Sequence, residues 1–421
     1  MRLKTSFKKI GSSIIITYLS IFLLFNPIVF ADDEEYEEIK TEEVVELLQA
    51  SAEAKDIPDI NSRAAVVIDR NTHAVLFGKN EDEKRKMAST TKIATCIVVL
   101  EKANLKDIVE VSGKAAGTGG SRLGLKKGDK ITVNDLLYGL MLCSGNDSAV
   151  ALAEYVGGSV EGFAELMNKK AEELGLKNTH FVTPHGLDQE EHYTTAYELA
   201  ILADYGLNID KFKEIVGTKS YTVTINGYSK TLNNTIELLG NLNGVYGVKT
   251  GFTNGANRCL VTSIKRDNLD VICVVLGADT KKYRTKDSIK IIEYTFKNYS
   301  VVNIEDKINE EFNKWKEEYK QDVEIIKGKE NKVEVNLQEI KFKQYPVKKE
   351  EQENIEIIID ARYELKAPIS KDKVIGKCIV RIGEEIIQDL DIVLSEEIEK
   401  KGVIDYLMQF AREYKMYLEN F

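Results

Sequence analysis

Apolar residues along the chain fall into three kinds of pattern, and each predicts a different element. The opening is a block: Arg2 to Lys9 is basic, Ile10 to Phe25 is almost continuously apolar, and Val29-Phe30-Ala31 ends it with small residues. That layout is expected of a secretory signal over residues 1–31, with an uncleaved anchor as the alternative because the run approaches the ~20 residues that span a bilayer. No later run is long and apolar enough to span. Either way, the rest of the chain is expected to be exported.

Residues 32–60 are dominated by acid (DDEEYEEIKTEEVVELL) and are expected to form a solvated leader. Strand patterning then begins. Ala64–Asp69 and His73–Phe77 read as a hairpin around Arg70-Asn71-Thr72. An apolar run, Cys96 to Leu100, predicts a buried helix that starts near Ser89. Val133, Leu136, Leu137, Leu140 and Met141 recur at i, i+3/i+4 spacing, which predicts a helix from Thr132. Further helices are expected over Ala149–Tyr155, Phe163–Leu174 and Thr195–Leu207. The period returns to two at Tyr221–Ile225, with Asn226-Gly227 as a turn signal, then at Val245–Gly251, Cys259–Ile264 and Val271–Gly277. A helix over Ile289–Tyr299 closes the region. Strands at both ends and helices between them imply an α+β domain over 61–299, an antiparallel sheet with a helical cluster. After a charged helix holding Trp315, short alternating strands predict a small all-β domain over 300–395. In the tail, 396–421, Val403, Leu407, Phe410, Tyr414, Tyr417, Leu418 and Phe421 form one stripe of an amphipathic helix. Either packing or membrane-surface contact would cover it.

Composition narrows the picture little. With 421 residues, net charge −10 and 30% charged residues, the chain is globular and acidic, a poor candidate for nucleic-acid binding. The five cysteines (Cys96, Cys143, Cys259, Cys273, Cys378) are odd in number, widely spaced and mostly in apolar runs, so buried free thiols are expected. The four histidines show no metal-ligand spacing, and neither a structural metal nor a cofactor is expected.

Candidate chemistry changes it more. Ser89 and Lys92 stand three residues apart, one turn along the same helix face. A serine hydroxyl becomes a nucleophile only when a neighbour takes its proton, and a lysine with a lowered pKa can do that. Alone, the pair reads equally as a helix cap and a solvated lysine. Two further motifs follow, Ser144-Gly145-Asn146 on an inter-helix loop and Lys249-Thr250-Gly251 on a strand. The three in this order are a signature of penicillin-binding proteins and serine β-lactamases.

With these motifs the chain resembles the D-alanyl-D-alanine carboxypeptidases, the low-molecular-mass penicillin-binding proteins. Leu136-Leu137-Tyr138-Gly139-Leu140-Met141, Ser144-Gly145-Asn146-Asp147, Leu174-Gly175-Leu176-Lys177-Asn178-Thr179, Pro184-His185-Gly186-Leu187-Asp188 and Gly247-Val248-Lys249-Thr250-Gly251-Phe252-Thr253 carry the likeness over about 61–300. Leu365 to Ile369 and Val374-Ile375-Gly376 are similar to that family's C-terminal β domain. The resemblance implies a β-lactamase/transpeptidase-like fold and a peptidoglycan stem peptide ending in D-Ala-D-Ala as substrate, with β-lactams as inhibitors. It makes Ser89 the nucleophile, Lys92 the general base, and Ser144 and Asn146 the relay and orienting groups. Lys249 and Thr250 would meet the terminal carboxylate, and Gly251 would admit the substrate to the strand edge. The backbone N–H groups of Ser89 and Phe252 would form the oxyanion hole, and Arg284 would be a further carboxylate ligand. His185 and His192 fall in a structural segment.

Three other readings stay open at this stage. A serine β-lactamase shares the nucleophile, but its E-x-x-L-N motif is not found at the usual distance: Glu165-Leu166-Met167-Asn168 lacks the spacing. A non-catalytic wall-binding protein has no need of all six polar motif residues. Transpeptidation also stays open, since transfer to an amine uses the same groups.

Overall fold

The computed structural model describes residues 57–330 and 332–419. The expected signal, nearly all of the acidic leader and Phe421 lie outside these residues.

Strands β1 (Ala64–Asp69) and β2 (Val75–Lys79) form the expected hairpin. Two small antiparallel pairs follow. They are β3 (Ile108–Glu110) with β4 (Lys130–Thr132), and β5 (Ser220–Ile225) with β6 (Tyr228–Asn233), the latter turning at Asn226-Gly227. Strands β7 (Val245–Thr253), β8 (Asn257–Arg266) and β9 (Leu269–Ala278) complete an antiparallel sheet of order β2-β1-β9-β8-β7.

Successive strand residues point to opposite faces, and here that divides β1 between two cores. Ala64, Val66 and Ile68 pack with the helical cluster, while Ala65 and Val67 pack under the closing helix with Ile289, Ile291 and Ile292. A strand covered on both faces reads as an unbroken apolar run, which is why Ala64 to Ile68 carries no polar residue.

The cluster contains helices Lys92–Lys102, Val133–Met141, Asn146–Gly157, Val160–Glu173, Ala196–Leu207 and Asp210–Gly217. Thr132, Ser159 and Thr195 cap three of them by accepting main-chain N–H bonds from Asp135, Gly162 and Glu198. Three boundaries differ from the sequence expectation. Ser89 lies in a 3₁₀ turn, Ala88–Thr91, and the α-helix begins only at Lys92. The helix expected from Ala149 starts at Asn146, and the closing helix starts at Lys281 rather than Ile289. The last shift puts Arg284 in a first turn capped by Thr280.

Beyond it, β10 (Tyr299–Asn303) leads to the Ile304–Asp322 helix, which carries Trp315 stacked between Phe312 and Tyr319. Strands β11 (Glu324–Ile326), β12 (Val335–Leu337), β13 (Gln344–Lys348), β14 (Ile355–Ala361), β15 (Glu364–Lys366), β16 (Val374–Ile382) and β17 (Glu385–Leu394) follow. Four of them form a sheet of order β12-β17-β16-β14. Its core includes Ile308, Phe312 and Tyr319, so this β region takes the preceding helix into its packing. The final helix, Val403–Glu419, has no buried residue.

Candidate active site

A cleft of about 530 Å³ opens between the helical cluster and β7, the edge strand of the main sheet. Residues from all three motifs meet in it or directly behind it.

The nucleophile candidate comes from the 3₁₀ turn. Thr91 Oγ1 donates to the Ala88 carbonyl, 2.8 Å away, which tightens the turn. Ser89 is left half-buried and facing the cleft. Gly186 backs this turn with φ +85°; a Cβ there would stand 1.9 Å from the Ala88 carbonyl oxygen, so only glycine fits.

Lys92 is fully buried. Its Nζ lies 2.8 Å from Ser89 Oγ, 2.7 Å from Asn146 Oδ1 and 2.8 Å from the His185 carbonyl oxygen. Burial, then the nearby Lys249 charge, holds its pKa well below the ordinary lysine value. A neutral amine has two N–H donors and one lone pair. Asn146 Oδ1 and the His185 carbonyl can only accept, so they take both donors, and the lone pair is left for the Ser89 hydroxyl.

Asn146 is oriented in turn. Its Nδ2 donates to the Gly119 carbonyl at 2.7 Å, and its backbone N–H donates to the Ser121 carbonyl at 2.8 Å. The glycine-rich stretch between Gly113 and Gly128 therefore supports the cleft, and Ser121 lines it. Ser144 is buried at the cleft wall with φ +58°, a left-handed conformation that a non-glycine residue adopts only when its surroundings hold it there.

The third motif lies along β7. Lys249 is fully buried, its Nζ donates to the Thr250 carbonyl at 3.0 Å, and burial lowers its pKa to about 7. Thr250 shares a 2.9 Å hydrogen bond with the Thr235 hydroxyl. A Cβ on Gly251 would come within 3.0 Å of the Ser89 nitrogen, so glycine lets the strand lie against the nucleophile's turn. Phe252 lines the cleft, with the Arg258 guanidinium 3.6 Å above its ring centroid. Arg284 also lines the cleft and is paired with Glu237.

Neither histidine stands as a base for Ser89. His185 contributes its carbonyl, and burial drops its ring pKa to about 3. His192 braces Thr91 Oγ1 at 2.8 Å and accepts from the Val182 N–H, with its pKa lowered to about 4 by burial.

Sequence reasoning passed over two kinds of residue. Asp147, quoted only as part of a motif, accepts the N–H groups of Leu123, Gly124 and Leu125 at 2.7–2.9 Å and so fixes the loop behind Ser121. Its place directly after Ser144-Gly145-Asn146 was the available signal. Glu237 and Lys281 sit in stretches without apolar periodicity, and nothing in the pattern pointed to them.

The fold is that of a low-molecular-mass penicillin-binding protein. Penicillin-binding protein 5 from Haemophilus influenzae matches with TM-score 0.67 and 27% identity over 82% of this chain and all of that one. DacD from Francisella tularensis, a D-alanyl-D-alanine carboxypeptidase, matches with TM-score 0.64 and 26% identity over 83% and 97%. Residues 49–280 match the D-alanyl-D-alanine carboxypeptidase family, and 313–400 match the penicillin-binding protein 5 C-terminal domain. The chain belongs to the D-alanyl-D-alanine carboxypeptidase family. Among curated relatives, DacF of Bacillus subtilis is 36% identical over 82% of this chain and 88% of its own.

Proposed function

We propose that this chain is an exported serine carboxypeptidase that removes the terminal D-alanine from peptidoglycan stem peptides through an acyl-enzyme on Ser89. Ser89 Oγ attacks the carbonyl between the two D-alanines while Lys92 Nζ takes its proton. The backbone N–H groups of Ser89 and Phe252 stabilise the oxyanion, an effect worth about 3–4 kcal/mol per donor. Ser144 passes a proton to the leaving amine, and Asn146 holds Lys92. Lys249, Thr250 and Arg284 receive the substrate carboxylate. Water then releases the shortened peptide. A β-lactam imitates the same dipeptide and acylates the same oxygen.

One observation carries this reading: the buried Lys92 Nζ stands 2.8 Å from Ser89 Oγ, with acceptor-only partners in Asn146 Oδ1 and the His185 carbonyl, and burial holds its pKa well below the ordinary lysine value. We place the acyl-transfer unit at 61–299, a β domain at 300–395 and a membrane-surface segment at 396–421. In the last, Val403, Leu407 and Phe410 are each more than 60% exposed, and Asp405, Arg412, Glu413 and Lys415 give the polar face no basic excess. Attachment would then follow apolar area rather than lipid charge.

The test is intact-mass measurement of the purified protein with benzylpenicillin, beside Ser89→Ala. A lasting one-to-one adduct absent from the variant, with D-alanine release from a D-Ala-D-Ala peptide, is the expected result. Drug turnover without an adduct would instead make the protein a β-lactamase. No reaction would leave a wall-binding protein.

A further inference from the structure

On one wall of the cleft, Arg284 alone has a task in the reaction described above. This wall is built by the segment after β6 and by the first turn of the Lys281–Asn298 helix. Glu237, Lys281, Arg284 and Thr285 all line the cleft there. Lys281, Arg284 and Thr285 are spaced i, i+3 and i+4, so they share one helix face. Both oxygens of the Glu237 carboxylate are engaged: Oε1 pairs with Lys281 Nζ at 2.8 Å, and Oε2 accepts from Thr285 Oγ1 at 2.9 Å and from Arg284 at 3.3 Å. The Glu237 side chain is 20% exposed, that of Lys281 19% and that of Arg284 5%, so these charges are partly withdrawn from water and screened less than a surface pair.

The segment carrying Glu237 is pinned. Ile236 and Leu238 on either side are buried in the second core, which turns Glu237 the opposite way, into the cleft. Two residues earlier, Thr235 holds the Thr250 hydroxyl. One short segment therefore touches both groups offered above to a substrate carboxylate, Thr250 and Arg284. Its own contribution is a negative charge. Two cations and one anion leave one unit of positive charge at this wall.

We infer that Glu237 and Lys281 set how strongly the cleft favours a substrate with a terminal carboxylate, Lys281 strengthening that preference and Glu237 limiting it. Glu237 acts as a positioning residue that aims Lys281 and Arg284 and cancels one of their two charges. Lys281 supplies a second cation to the incoming carboxylate. This rests on the acyl-transfer reading of Ser89.

The experiment measures second-order acylation of the full chain by benzylpenicillin and by its neutral methyl ester, and reads the ratio of the two rates. Glu237→Gln preserves shape and raises the wall to two positive charges, so the acid-to-ester ratio is expected to rise about 3–10-fold and to fall more steeply with added salt. Lys281→Met is expected to lower the ratio by a similar factor, and Glu237→Asp to return it toward the parent value. A purely structural role would change both rates together. An unchanged ratio in both variants, with Ser89 still acylated, overturns this inference alone. A parent protein that is never acylated overturns the acyl-transfer reading and this inference with it.

Discussion

The two halves of the molecule handle polar groups in opposite ways. Among the described residues, all the buried polar and charged ones but Gln388 lie at or before Thr295. The region before β10 buries two lysines and an arginine at or behind a cleft, and several aspartates besides. The β16–β17 region buries Cys378, Val380, Leu390, Ile392 and Leu394 and little else. Burying a charge is costly unless it is paired or neutralised. Lys92 is pushed toward the second course, its pKa lowered by burial and then by the nearby Lys249 charge, and that is the property the proposed role as a base needs. One half thus carries destabilising chemistry, held in place by its cores, while the other is a plain apolar sheet with a helix laid on it.

The comparison is broken most severely at Lys92. Lys92→Met keeps the volume but removes the lone pair opposite Ser89, and acylation by benzylpenicillin is expected to slow by about 10²–10⁴-fold. The variant also leaves Asn146 Oδ1 and the His185 carbonyl without their donor, each such loss costing about 1–3 kcal/mol. Pre-steady-state mass measurement reads the first effect and thermal unfolding the second. Acylation at the parent rate would mean that another group takes the proton.

How much of this was legible in the chain depended on whether a residue's task left a mark on its neighbours. Ser89 and Lys92 were readable because one helical turn separates them, and Lys249 to Phe252 because they stand in a strand. The 3₁₀ turn under Ser89 was not, since it is fixed by contacts with Gly186 and Gly251 from distant segments. The start of the closing helix was hidden because Lys281 to Lys286 has no apolar period, although Thr280 as a cap was a usable sign. The Asp210–Gly217 helix carries Phe212, Ile215 and Val216 at helical spacing but is only two turns long, too short for periodicity to register. Glu237 sits in an irregular segment, where only the folded chain brings it to Arg284.

A smaller effect sharpens the contrast through pH. Lys249 is cationic below about 7 and neutral above it, because burial has lowered its pKa. Lys92 must be neutral to act, and its lowered pKa makes it so from the acid side upward. The acylation rate constant for carboxylate-bearing penicillin is therefore expected to climb as Lys92 loses its proton. Independently, loss of the Lys249 charge on passing pH 7 should lower that rate constant about 3–10-fold. Lys249→Arg keeps the cation and should remove the decline. A descending limb that persists unchanged in this variant would assign it to another group.

The smallest expected effect on acylation is none, and it tests whether the two halves are as separate as their cores suggest. Ile392 is fully buried in β17, opposite Leu337 and Gly376. Ile392→Ala removes that packing and leaves a cavity, at a cost of about 2–5 kcal/mol. None of its core partners belongs to the cores around the main sheet. The regions do meet at β10, which pairs with β13 while Tyr299 and Val301 pack under the closing helix. If that seam is only a seam, calorimetry of Ile392→Ala should show one transition moved down and another in place, with the acylation rate within about twofold of the parent. If acylation and the second transition fall together, β10 and β13 join the two cores into one cooperative unit, and the apolar half is then part of what holds the buried lysines in place.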